Sequence, residues 1–140
     1  MKATGIKRGF WNGTTGTERL GIDLVGAKLV SVSDEGFTVE KDGEEYSFEF
    51  EVTEGFCCDY AEVKATLYLE NEDTMPVITN VTEDSDDGCD EDRLKITLFG
   101  LYKPIAELEF AAGSESGWGY GSNVVIKCYA TGFSKTLVKW

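Results

Sequence analysis

Residues 27–52 read AKLVSVSDEGFTVEKDGEEYSFEFEV, and the alternation within them decides the fold. Leu29 is followed by Val30 and Val32, and Phe37 by Val39. Farther on, Tyr46, Phe48, Phe50 and Val52 share one face of an extended chain, with Ser47, Glu49 and Glu51 on the other. A period of two residues is the signature of a half-buried strand, because successive side chains point to opposite faces. Two breaks divide the stretch: Ser33-Asp34-Glu35-Gly36, and Lys41-Asp42-Gly43, where Asp-Gly favours a tight hairpin. The reading is a three-stranded meander whose aromatic face is buried and whose Glu49 and Glu51 meet solvent.

Working outward, further strands read at 63–69, 77–82, 94–101, 105–110, 124–129 and 136–140. The two prolines, Pro76 and Pro104, each head a run, where a missing N–H costs least. Helical pattern is scant, since 19–26 is too short and is bounded by glycines. Strands at this spacing predict a mostly β protein, an antiparallel sandwich or rolled sheet. Residues 1–18 differ. Gly5, Gly9, Gly13 and Gly16 alternate with threonines, and Phe10 and Trp11 are the large apolar groups. They read as a glycine-rich arm ordered only if something pins it, ahead of a single β-rich domain at 19–140.

The 140 residues suit one domain, and 41% hydrophobic content is enough for a packed core despite a net charge of −13. No apolar run approaches the roughly 20 residues that span a bilayer. The first nine residues have no apolar stretch of the kind a secretory signal needs, so a cytoplasm is the expected location. Histidine is absent. Ser-His-Asp and Cys-His nucleophile pairs are therefore excluded, as are imidazole metal ligands. With 26 acidic residues, two carboxylates lying close together carry little information, and no enzyme activity is expected. Cys57, Cys58, Cys89 and Cys128 lack the paired spacing of a zinc site, and adjacent cysteines in a strand face opposite ways. They read as reduced, small buried hydrophobes, with their pairing left open, and neither cofactor nor metal is expected.

Charge is unevenly spread. Residues 34–92 hold twenty-one acids against Lys41 and Lys64, while 1–21 and 93–140 each carry a net +3. Such a field repels nucleic acid and attracts a basic protein surface, although it also serves plain solubility. The densest run is EDSDDGCDED at 83–92. An EF-hand register with Gly88 at position 6 puts Leu94 at position 12, where it cannot chelate. The run reads as a solvated loop joining two strands, with Asp84, Asp86, Asp87, Asp90 and Asp92 as its contact residues.

Residues 113–123 read GSESGWGYGSN. A phosphate loop would want a lysine and a following helix. Instead Glu115 sits inside and a β-branched strand follows, so a bend or bulge entering that strand is the better account. Trp118 and Tyr120 are two residues apart, hence on one face if extended, and make an aromatic platform for a planar ligand or a protein.

The order LVGAKLVSV, DGEEYSFEF, CCDYAEV, KITLFG and AGSESGWGYGSNVVIKC resembles a family of small phage-borne proteins catalogued as a domain of unknown function. The likeness covers about residues 24–129. It implies phage origin, hence the host cytoplasm as location with the virion as alternative, and a compact β-rich fold, and brings no catalytic residues with it. The expectation is a non-catalytic, acidic effector that binds and blocks a host protein with a basic surface, with no direct nucleic acid or membrane partner. The alternatives are a virion accessory protein docking through its arm, and a protein sequestering a small metabolite or nucleotide. The oligomeric state stays open.

Overall fold

The computed structural model describes residues 2–3, 24–55, 59–68, 76–87, 91–114 and 121–140, and every one of its regular elements is a strand. In chain order these are β1 (Lys2–Ala3), β2 (Lys28–Ser33), β3 (Gly36–Lys41), β4 (Glu44–Thr53), β5 (Asp59–Leu67), β6 (Asn80–Asp87), β7 (Glu91–Phe99), β8 (Pro104–Ser114), β9 (Asn123–Cys128) and β10 (Phe133–Lys139). They form two antiparallel sheets, A in the order β1-β6-β7-β8-β5 and B in the order β10-β9-β4-β3-β2. The meander read from residues 27–52 is the β4-β3-β2 side of sheet B.

Its turns follow from local chemistry. Asp42 (φ 56°) and Gly43 (φ 83°) both take the left-handed conformation that a type I′ hairpin demands, which Asp-Gly supplies at least cost. Gly36 (φ 156°) answers a different need. A Cβ there would stand 2.1 Å from the carbonyl oxygen of Phe48, so β3 and β4 can approach only over a glycine. The uneven alternation of β2 also has a cause. Leu29 pairs with Val39 and Ser31 with Thr38, leaving Val30 as the extra residue of a β-bulge. The bulge returns Val32 to the same side as Leu29.

The two inner faces share one core. Phe37 and Phe48 stack at 4.8 Å between ring centroids, and Phe50 of sheet B meets Phe110 of sheet A edge-on at 5.0 Å and 77°. Leu94, Ile96 and Leu98 of β7 and Val124, Ile126 and Cys128 of β9 fill the same interior. The thiol of Cys128 is buried there, as a small hydrophobe.

Three readings are corrected. Val52 is 42% exposed, although it keeps the inward parity of Phe48 and Phe50, at the next-to-last position of β4. Residues 77–82 are not one strand: Val77 makes only an isolated bridge to Lys28, and the strand proper starts at Asn80. The acidic run is not a loop. Glu83–Asp87 pair with residues 92–96 in the β6–β7 hairpin and Glu91 pairs with Gly113 of β8, with 88–90 outside the described residues. Asp disfavours strands, but β7 has a strict apolar face, and Val81, Glu83 and Ser85 are drawn opposite Leu98, Ile96 and Leu94. The arm assignment at 1–18 falls almost wholly outside the described residues. Only Lys2 and Ala3 are placed, paired antiparallel with Ser85 and Asp84.

Candidate functional site

The hairpin splits the acids expected to act together. Asp84 and Asp86 lie on the outer face of sheet A, exposed, directly opposite Lys95 and Arg93. Asp92 has the opposite parity and shares its side of β7 with Leu94, Ile96 and Leu98. Its Oδ2 accepts the backbone N–H of Lys139 at 3.0 Å, joining β7 to the last strand of sheet B. Asp87 pairs with Asp92 through the ladder. Asp90, Trp118 and Tyr120 lie outside the described residues.

Around Asp84 and Asp86 the outer face of sheet A forms a groove of about 410 Å³, bounded also by Glu62, Lys64, Arg93, Lys95 and Glu109. The groove is of mixed charge. Arg93 pairs with Glu91 at 2.6 Å, and Lys95 reaches Glu107 at 3.6 Å. Glu91 also accepts the Tyr60 hydroxyl. Tyr60 and Glu91 stand on either side of Gly113 in one row across β5, β8 and β7, and the glycine offers no side chain between them. That hydrogen bond, with burial second, pushes the Tyr60 phenol up to about 12. Tyr68 is raised likewise by its hydrogen bond to Glu107. The acidic run is thus partly neutralised by the basic residues of its own hairpin.

Sheet B presents a different face. Its middle strand is β4, and the outward positions Glu45, Ser47, Glu49, Glu51 and Thr53 are all exposed. Glu40 of β3 stands directly opposite Glu45, a like-charge pair, with Lys28 on its other side. Lys127 of β9 is opposite Glu49 and bonds Glu51 at 3.0 Å, a contact that raises the lysine's pKa. By ladder parity four carboxylates, Glu40, Glu45, Glu49 and Glu51, therefore share this face with three cations, Lys28, Lys127 and Lys139. Glu49 and Glu51 were legible as outward residues, but their placement in mid-sheet was not. That position depends on β9 joining β4 from more than 70 residues away.

The third feature is the end of the sandwich where β4, β6, β8 and β10 finish and β5, β7 and β9 begin. Here interior-facing positions turn polar: Asp59 on β5, Ser114 on β8 and Ser122 before β9, all buried. Ser122 hydroxyl approaches the Gly113 carbonyl at 3.5 Å, and Trp140 is bonded at both backbone ends to Gly121 and Ser122. Among the described residues, no three Cys, Asp or Glu side chains converge as a metal-binding group would, and no helix is long and apolar enough to cross a membrane. No protein-family model matches the chain, and no curated protein or solved structure matches it.

Proposed function

We propose that this chain is a non-catalytic binding protein, of the phage-borne kind its sequence resembles, that engages the basic surface of a host protein through the outer face of sheet B. The observation carrying this reading is the exposed file of Glu45, Glu49 and Glu51 down the middle strand, with Glu40 directly opposite Glu45. Like charges facing each other across a ladder destabilise a sheet, so a cationic partner relieves a cost the free protein carries. The strand spaces Glu49 and Glu51 about 6.8 Å apart along the chain and Glu45 about 13.6 Å from Glu49, with Ser47 between, on a rigid element rather than a loop. The β6–β7 hairpin is the weaker candidate, because both of its exposed aspartates stand opposite cations, Arg93 and Lys95, whereas on sheet B Glu45 stands opposite another carboxylate.

The test is affinity capture from host lysate at low ionic strength on two columns, one bearing the native protein and one the E45Q/E49Q/E51Q variant. A basic host protein retained by the first, released by salt and absent from the second supports the reading. Equal retention on both columns, or association with mature virions alone, refutes it.

A further inference from the structure

Asp59 is an exception among the acids. It is 8% exposed, and neither of its carboxylate oxygens has a hydrogen-bond partner. Burying a charged or polar group without a partner costs several kcal/mol in general, and native folds rarely leave such a group unmet without a reason. Its direction is set by the strand: Asp59 has the parity of Ala61, Val63 and Ala65, which face the core, and stands directly opposite Ser114. Ser114 shares the inward parity of Phe110 and Ala112, and Ser122 that of Val124 and Ile126. Asp92, one step along β7 and also inward, is held by the Lys139 amide and adds negative potential.

We propose that Asp59, together with the buried hydroxyls of Ser114 and Ser122, forms a binding site for one calcium ion at this end of the sandwich. The donors are all oxygens, which suit a hard cation. Calcium fits better than magnesium because both Asp59 oxygens are free for bidentate ligation, whereas magnesium demands a near-octahedral shell. With one carboxylate certain and the rest neutral, the affinity belongs with weak sites, at about 10⁻⁴–10⁻³ M. The ion would meet the burial cost of Asp59 and brace the junction where β5, β8 and β9 come together.

The experiment measures melting temperature in EDTA and in 10 mM calcium chloride for the full chain and for Asp59→Asn. It is paired with terbium luminescence excited through Tyr60 and Trp140. The native protein should melt about 3–6 °C higher with calcium and give a saturable terbium signal. Asp59→Asn should melt at or above the native protein in EDTA, show no calcium shift and lose the saturable signal. Ser122→Ala, which keeps the carboxylate, should weaken terbium binding several-fold. A native melting temperature indifferent to calcium overturns the proposal. So does an equal calcium shift in Asp59→Asn, which would place the ion on exposed acids. An Asp59→Asn protein that melts below the native one in EDTA also overturns it, because the carboxylate would then be stabilising without any ion.

Discussion

The backbone N–H of Lys139 donates to Oδ2 of Asp92 at 3.0 Å, so one acid of the 83–92 run ties the two sheets together while Asp84 and Asp86 face solvent. Asp92→Ala should therefore lower stability by about 0.5–1.5 kcal/mol, the usual net worth of one hydrogen bond. Asp84→Asn with Asp86→Asn should stay within about 0.5 kcal/mol of the native protein. Urea denaturation of the two variants checks the contrast, and equal losses would show that the hairpin acids are alike.

Phe50 and Phe110 carry the packing between the sheets. Phe110→Ala should cost about 3–5 kcal/mol. A double-mutant cycle of Phe50→Leu and Phe110→Leu should return a coupling of about 0.5–1.5 kcal/mol from the edge-on contact. Additive losses in the cycle would mean that the rings do not meet.

How much of this was legible depended on whether one segment carried its own pattern. Phe37, Val39, Phe48 and Phe50 alternate within a short stretch and are joined by Asp-Gly chemistry, so that hairpin, its register and its buried face could be read directly. The run from Asn80 to Asp87 could not, because aspartate-rich sequence resembles a loop and its strand state is imposed by β7. Val52 has the right parity, yet it is exposed at the next-to-last position of β4. Asp59 gave no local sign at all: one acid among 26, its burial results from β5, β8 and β9 closing over it.

The two glycines of the meander should respond differently to alanine. At Gly36 a methyl group would strike the Phe48 carbonyl at 2.1 Å, so the strands must part, and a loss of more than about 2 kcal/mol is expected. At Gly43 nothing lies within 4 Å, and only the left-handed backbone is penalised, at about 1–2 kcal/mol. Comparable losses at both sites would remove steric approach as the reason for Gly36.

Tyr60 should make stability fall at alkaline pH. Its phenol is held neutral in the fold by Glu91 and titrates at about 12 rather than near the ordinary 10. A group raised in the folded state gives a contribution that is complete below the unfolded value and is lost as pH climbs through the folded one. The native protein should thus lose stability relative to Tyr60→Phe between about pH 10 and 12, with no such difference developing between pH 7 and 9. A constant difference through that alkaline window would contradict the Tyr60–Glu91 bond.

The central claim is that the exposed acids of sheet B steer a basic partner, and association kinetics test it most directly. The rate of binding to the host protein retained by the native column should be followed from about 50 to 500 mM salt, where the screening length shrinks from roughly 14 to 4 Å. Electrostatic steering predicts that the native rate falls at least about tenfold across this range. The E45Q/E49Q/E51Q variant should start slower and vary little with salt. Identical rates and identical salt dependence for the two proteins would contradict the assignment of sheet B as the binding face.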